Sequence, residues 1–215
     1  ISFTIDYKDE YGDYSGNVYT KTYTTKIGKR PVTAKDLVYT LPTDAVYNGK
    51  RHDITVTSNI TGIGDIGMKY TSGGVAAAPV NAGEYTAIAL VPEAGNYAET
   101  VVELGTFTIA PAPVRLDVSG LTISKVYDGT NAFLYERDAS GKAYMNGVLS
   151  GDIIAVVING EFSTANAGET TAILTPTLSG ANYTIADESR SVTVPATILT
   201  TELIGAAAIQ HIESE

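Results

Sequence analysis

Alternating apolar and polar positions predict β-strands along most of the chain. Val114, Leu116 and Val118 stand two residues apart, so an extended backbone places them on one face. Three more segments repeat this period: Ile54 and Val56, Phe107 and Ile109, and Val192 and Val194. We expect these apolar side chains to point into a core. Their polar neighbours are expected to point outward: Thr106, Thr108, Ser191 and Thr193.

Other segments predict further strands and the turns between them. Residues 153–158 are apolar throughout, which is typical of a strand covered on both faces. Strands at 85–91 and 170–175 are expected to end at Pro92 and Pro176, because proline lacks the amide donor of a sheet ladder. Four Asx-Gly pairs predict turns: Asn48-Gly49, Asp128-Gly129, Asn146-Gly147 and Asn159-Gly160.

The chain contains an internal duplication. Val46-Tyr47-Asn48-Gly49 returns as Val126-Tyr127-Asp128-Gly129, with an offset of 126−46 = 80. Three later landmarks follow in the same order with offsets of 85, 86 and 85: Asn81 and Asn166, Asn96 and Asn182, and Thr108 and Thr193. Ordered landmarks at near-constant spacing indicate two copies of one small domain.

These patterns predict an all-β chain of two tandem small domains. The first domain is expected at residues 31–110 and the second at 113–197, with a Pro-rich linker at 111–113 that limits swivel. Each domain is expected to be immunoglobulin-like or β-grasp-like, with the two arranged end to end. Residues 1–30 are a strand, a hairpin or the tail of a preceding repeat. Residues 198–215 are a C-terminal tail, either a short helix or the start of a third unit.

The second unit resembles the YDG domain of bacterial surface proteins and adhesins. The resemblance rests on residues 125–130 (KVYDGT), 149–152 (LSGD), 160–162 (GEF) and 178–183 (LSGANY). The first unit is similar to the MBG-type repeat, which is related to the YDG domain. Its Asn48 stands where the Tyr-Asp-Gly motif of the YDG domain has Asp. The resemblance implies an extracellular, surface-attached protein built of tandem repeats, and it carries over no catalytic or ligand residues.

Composition narrows the classes of partner. The net charge of −10 argues against nucleic acid and anionic membrane surfaces, which need a basic face. The chain has no cysteine, so disulfides and thiolate metal sites are excluded. No apolar stretch approaches the ~18 residues of a membrane span. We expect a mature or excised piece of a longer protein, without direct membrane insertion in this segment.

The six motif residues have a structural interpretation and a functional one. Tyr47 and Tyr127 are expected to end a strand, pack on the core and reach backbone with their hydroxyls; the alternative is a ligand contact. Asn48-Gly49 and Asp128-Gly129 are expected to form the tight turn that follows. No ligand is identified for either copy.

The remaining candidates for chemistry are weak, and no catalytic residue, metal site or cofactor is expected. His52 and His211 lack a carboxylate or second ligand at useful spacing. An acidic cluster near the N-terminus does not match a calcium loop, so it is a solvated loop or a weak Ca²⁺ site: Asp6, Asp9, Glu10 and Asp13. Five tyrosines there fill an edge sheet or form a sugar-stacking platform: Tyr7, Tyr11, Tyr14, Tyr19 and Tyr23.

The sequence therefore predicts a non-catalytic structural or adhesive module, a stalk or spacer, of a bacterial cell-surface protein. Its expected partners are neighbouring repeats of the same chain, with a host or environmental glycan or protein as a further class. The alternative is a carbohydrate-binding accessory module of a secreted polysaccharide-degrading enzyme.

Overall fold

The structure is a computed structural model that describes residues 26–138 and 144–200, together with the backbones of two strands at 2–5 and 19–22. These residues form an all-β fold, as the alternating pattern predicts. Their helical content is two 3-10 turns, Ala34–Asp36 and Asp187–Ser189. Since a β-grasp packs an α-helix across its sheet, the described residues favour the sandwich alternative. They also hold no helix long and apolar enough to cross a membrane.

Seventeen strands lie within the described residues, and they are numbered here in chain order. They are β1 (Ser2–Ile5), β2 (Tyr19–Thr22), β3 (Leu37–Tyr39), β4 (Ala45–Val46), β5 (Val56–Ser58), β6 (Gly67–Ser72), β7 (Val75–Ala76), β8 (Gly83–Val91), β9 (Thr100–Ala110), β10 (Ala112–Leu116), β11 (Ile123–Val126), β12 (Ala132–Asp138), β13 (Met145–Asn146), β14 (Ala155–Phe162), β15 (Gly168–Ser179), β16 (Tyr183–Ile185) and β17 (Val192–Leu199).

The same order of four strands occurs in two five-stranded sheets. The strand order is β4-β9-β8-β6-β7 in one five-stranded sheet and β11-β17-β15-β14-β12 in the other. In both, a strand leading into the Tyr-Asx-Gly motif pairs parallel with the last strand: Val46 lies opposite Ala110, and Val126 lies opposite Leu199. The duplication read from the sequence therefore extends to four strands of the sheet: β4, β9, β8 and β6 correspond to β11, β17, β15 and β14. The edge strand beyond them differs, because β7 follows β6 along the chain whereas β12 precedes β14.

Smaller sheets complete the described structure. In the second copy, β10 pairs antiparallel with β13 and parallel with β16, with Ala112 opposite Tyr183. In the first copy, β3 pairs antiparallel with β5, and an isolated parallel bridge joins Arg30 to Tyr97. The backbones of β1 and β2 pair antiparallel. Only Pro111 separates β9 from β10, so most of the expected linker lies in strands.

The chain folds into two compact units. Among the described residues, one unit is drawn from Ile1–Thr40, Thr55–Lys69 and Ile88–Leu104. The other is drawn from Leu41–Ile54, Tyr70–Ala87 and Gly105–Glu215. The second unit therefore holds the first motif, the whole described part of the second repeat and the segment that joins them.

Three local expectations are wrong. Residues 153–158 are buried on one face only, since Val156 and Ile158 are buried while Ile153 is 79% exposed. Asn159-Gly160 is not a turn but lies inside β14, where the missing side chain of Gly160 leaves room for the ring of Phe133. β15 continues through Pro176, because its pairing with β17 stops at Leu174 and the lost amide faces no second neighbour.

The predicted core faces of β9 and β17 are confirmed, with one exception. Phe107 and Ile109 are buried in β9, and Val194 is buried in β17, whereas Val192 is partly exposed. The four polar neighbours of these residues are exposed, as expected. Phe107 stacks on Tyr85 with ring centroids 5.8 Å apart and meets Tyr70 edge-on at 6.2 Å. This aromatic group anchors the core of the first repeat.

Replacing Phe107 with Ala should lower the free energy of unfolding by about 3–5 kcal/mol, because a buried ring is lost and a cavity remains. Urea titration measures the change. Thr108→Ala is the matched control, since Thr108 is the exposed neighbour on the same strand, and it should cost below about 1 kcal/mol. A loss below that value for Phe107→Ala would show that this face is not the core.

Candidate functional site

Both copies of the Tyr-Asx-Gly motif form the same turn. The Asn48 side-chain oxygen accepts a hydrogen bond from the Lys50 amide at 2.9 Å, and the Asp128 carboxylate accepts one from the Thr130 amide at 2.8 Å. The glycine that follows is left-handed in each, with φ of 73° at Gly49 and 80° at Gly129. The motif requires an Asx acceptor and a residue without Cβ, which confirms the predicted turns.

The backbone of the motif tyrosine is also held identically. The Tyr47 amide donates to the Ala110 carbonyl at 2.8 Å, and the Tyr127 amide donates to the Leu199 carbonyl at 2.9 Å. In both copies the acceptor is the last residue of the parallel strand beside it. The two tyrosine side chains therefore leave equivalent backbones.

Tyr47 is buried against two residues of the second repeat. Its hydroxyl donates to Asp152 Oδ2 at 2.6 Å, and the Tyr183 hydroxyl donates to the same oxygen. The two rings meet edge to face, with centroids 5.4 Å apart and an interplanar angle of 84°. The Leu149 amide donates to the Tyr183 hydroxyl at 3.0 Å. We refer to Tyr47, Asp152 and Tyr183 as the tyrosine–aspartate cluster.

Two asparagines strengthen the same contact. Asn182 donates from its side-chain amide to the Asn81 side-chain oxygen at 3.1 Å and accepts from the Ala82 amide at 2.9 Å. The Asn182 carbonyl also accepts from the Ala112 amide at 2.9 Å. All these residues belong to the second compact unit. Landmarks of the first repeat thus bond to landmarks of the second.

The Asp152 carboxylate and burial together keep both phenols protonated. The pKa of Tyr47 is raised, chiefly because its hydroxyl donates to Asp152. The pKa of Tyr183 is raised to about 12, first by burial and then by the hydrogen bond to Asp152. Both neutral phenols donate a hydrogen bond to the carboxylate, which makes the cluster a hydrogen-bonded contact.

The negative charge of Asp128, in the second motif, is balanced by the Lys125 ammonium group. Lys125 Nζ lies 2.7 Å from Asp128 Oδ1 and 2.9 Å from Thr130 Oγ1, and the pKa of Asp128 is lowered to about 2, chiefly by Lys125. In the first copy, Ala45 occupies the position of Lys125, and the neutral Asn48 needs no cation. Asn48 in place of an Asp therefore preserves the turn.

Tyr127 differs from the expectation of a core tyrosine. Its side chain is 46% exposed, whereas that of Tyr47 is 7% exposed. The hydroxyl of Tyr47 also bonds a carboxylate rather than backbone. Residues of the second repeat cover the first motif, which accounts for the burial of Tyr47 and for its bond to Asp152.

The other candidates are not brought together. His52 has a buried Nε2 without a hydrogen-bond partner in the described residues, and its amide donates to the Pro79 carbonyl at 2.9 Å. In the same part of the chain, no group of three or more His, Cys, Asp or Glu side chains could hold a metal ion. His211, the N-terminal acidic cluster and the side chains of the five N-terminal tyrosines lie outside the described residues.

Sequence reasoning missed the roles of Asp152 and Tyr183. A signal for them exists, because Gly64-Asp65-Ile66 returns as Gly151-Asp152-Ile153 with an offset of 152−65 = 87. Tyr97 returns as Tyr183 with an offset of 183−97 = 86. These offsets match the other landmarks, so the partners of the motif tyrosine are themselves duplicated.

Replacing Gly49 with Ala should destabilise the protein more than replacing Gly129 with Ala. Both changes force a left-handed alanine, at about 1–2 kcal/mol. A Cβ at Gly49 would also lie 3.1 Å from Leu149 Cδ1, whereas one at Gly129 would meet nothing within 4 Å. Urea titration of the two variants measures the difference in the free energy of unfolding. Equal losses of stability would show that the Leu149 side chain moves aside without cost.

Replacing Tyr183 with Phe should lower the free energy of unfolding by about 1–3 kcal/mol at neutral pH, because a buried donor to a carboxylate is lost. The folded pKa of Tyr183, about 12, lies above the unfolded value. Its contribution is therefore complete below about pH 10 and is lost as the pH rises through the folded value.

The stability difference between wild type and Tyr183→Phe should narrow accordingly from about pH 10 upward. Urea titrations at a series of alkaline pH values measure it. Tyr127→Phe is the control, since it removes the same atom from a half-exposed ring. A difference that stays constant to about pH 12 would show that the Tyr183 phenol does not carry the effect.

Comparison with known proteins identifies the second repeat. No curated protein and no solved structure matches the chain significantly. Residues 110–191 match the model of the YDG domain family. The match begins at the end of β9, spans β10 to β16 and stops one residue before β17, which lies between β11 and β15 in the sheet. Residues 110–191 are a YDG domain, and the strand that completes its sheet follows directly.

Proposed function

We propose that the chain is a non-catalytic structural or adhesive repeat module, a stalk or spacer, of a bacterial cell-surface protein. The observation that carries this proposal is the tyrosine–aspartate cluster. Tyr47 belongs to the signature motif of one repeat, and it is used to bind Asp152 and Tyr183 of the next. A stalk of tandem domains needs recurring residues of this kind to join each domain to its neighbour.

The strength of the contact supports the same role. Hydrogen bonds to a charged group contribute roughly 1.5–3 kcal/mol each, about twice a neutral one. The half-buried Asp152 carboxylate accepts two of them, and the edge-to-face rings add an aromatic pair. A side chain held in this way is poorly available to a soluble ligand.

The cell-surface setting rests on the YDG domain at residues 110–191 and on composition. A net charge of −10, a charged fraction of 18% and the lack of cysteine suit a secreted β-protein stabilised by its cores alone. We propose an extracellular location, with neighbouring repeats of the same chain as partners and a host or environmental glycan or protein as a further class.

A carbohydrate-binding accessory module is the rival function. A groove of about 490 Å³ lies along the second repeat, lined by threonines, Pro176, Tyr183 and Arg190. Sugar recognition usually needs an aromatic face open to the ligand, and the Tyr183 ring is buried. A glycan array distinguishes the two functions, because specific binding that is lost on Arg190→Ala would favour the rival.

Calorimetry tests whether the cluster couples the two repeats. Residues 31–199 of the wild type should unfold in a single transition, in which the calorimetric and van't Hoff enthalpies agree. Asp152→Ala removes the shared acceptor and should separate the transition into two. Asp65→Ala is the matched control, since Asp65 is the exposed counterpart of Asp152 in the first repeat. Unchanged cooperativity in Asp152→Ala would contradict a coupling role.

A further inference from the structure

The tyrosine–aspartate cluster is made of two halves. The donor half is the motif tyrosine, carried on its Asx-Gly turn beside the last strand of the same repeat. The acceptor half is the Asp of the Gly-Asp-Ile segment together with the Tyr of the Asn-Tyr segment. Each half occurs in both repeats, but the described contact uses one donor half and one acceptor half.

The second donor half, around Tyr127, has the geometry of the first. The amide bonds to Leu199, the Asx turn to Thr130 and the left-handed Gly129 reproduce those around Tyr47. A side chain that leaves an equivalent backbone can present its hydroxyl in the same way. Tyr127 is therefore built to make the contact that Tyr47 makes.

The surface around Tyr127 is apolar and exposed. Val126 is 56% exposed and Leu199 is 48% exposed, and the two lie opposite each other on β11 and β17. β11 is the edge strand of its sheet. Together with the half-exposed Tyr127 ring, they form an exposed apolar patch at this edge of the sheet.

The second acceptor half, around Tyr97, keeps the backbone geometry of the first, while the Arg30 guanidinium lies over the Tyr97 ring at 5.2 Å from its centroid. The Arg30 amide donates to the Asn96 carbonyl at 2.9 Å, as the Ala112 amide does to Asn182. Arg30 forms a parallel bridge to Tyr97, as Ala112 pairs with Tyr183. Asp65, in the Gly-Asp-Ile segment of the first repeat, is exposed. The repeat thus carries a donor half and an acceptor half as fixed parts of its fold.

We propose that Val126, Tyr127 and Leu199 form a docking surface for the acceptor half of another repeat of this kind. The Tyr127 hydroxyl donates to the Asp of that repeat, and the Tyr127 ring packs on the edge of its Asn-Tyr tyrosine. The inference rests on the proposed role as a repeat module and names the surface and the residues that join one repeat to the next.

The test adds a repeat to the full chain. A second copy of residues 111–199 is inserted between Leu199 and Thr200, so that Pro111 follows Leu199 as it follows Ala110. Hydroxyl-radical footprinting, read by mass spectrometry, then measures the reactivity of each tyrosine. The reactivity of Tyr127 should fall up to about 6.6-fold relative to the parent chain, as its exposure falls towards that of Tyr47 (46/7), whereas Tyr47 stays protected.

The matched control is the same extended chain with Asp152→Asn and Tyr183→Phe in the inserted copy alone. Tyr127 should regain the reactivity that it has in the parent chain. Val101, which is 67% exposed, should react equally in all chains. A Tyr127 that reacts as fast in the extended chain as in the parent would overturn the proposal.

A second measurement needs no added repeat. In the parent chain, Asp152→Asn with Tyr183→Phe should raise the reactivity of Tyr47 towards that of Tyr127. Persistent protection of Tyr47 would show that the acceptor half does not cover it, and the docking surface would lose its basis. Specific glycan binding would remove the stalk proposal without changing either footprint, so the two proposals can fail separately.

Discussion

The contact between the two repeats depends on the hydrogen bonds that the Asp152 carboxylate accepts. One oxygen accepts both the Tyr47 and the Tyr183 hydroxyl, and neither phenol belongs to the strand that carries the other. Leaving a half-buried carboxylate or hydroxyl without its partner costs more than the bond itself contributes. The two repeats must therefore be present together for these polar groups to be satisfied, which ties the burial of the first motif to the folding of the second repeat.

Much of the fold follows from sequence, because one face of each long strand is buried. Alternation identifies β9 and β17, and the ordered landmarks identify the duplication. The same logic fails at Ile153, because an apolar side chain can lie in solvent at little cost and hydropathy does not show it. It fails again at Pro176, since a proline is excluded from a strand only where a second neighbour needs its amide.

The site is harder to predict than the fold, because burial of the motif tyrosine is decided by distant residues. Tyr47 and Asp152 stand 105 positions apart. The local sequence of the two motifs is nearly the same, and it fixes the same turn and the same amide bond in each. It cannot tell that one ring is covered and the other is half exposed. Only the recurrence of Gly-Asp-Ile and Asn-Tyr, read as partners of the motif, carries that information.

A tandem repeat needs a contact that every copy can make with the next. In the tyrosine–aspartate cluster, the backbones that carry both halves are held by hydrogen bonds of their own and not by the contact itself. The Asx turn and the amide bond to the last strand place the donor, and a parallel bridge places the acceptor. The Asx position then accepts either Asn48, with Ala45, or Asp128, with Lys125, and the turn keeps its geometry in both copies.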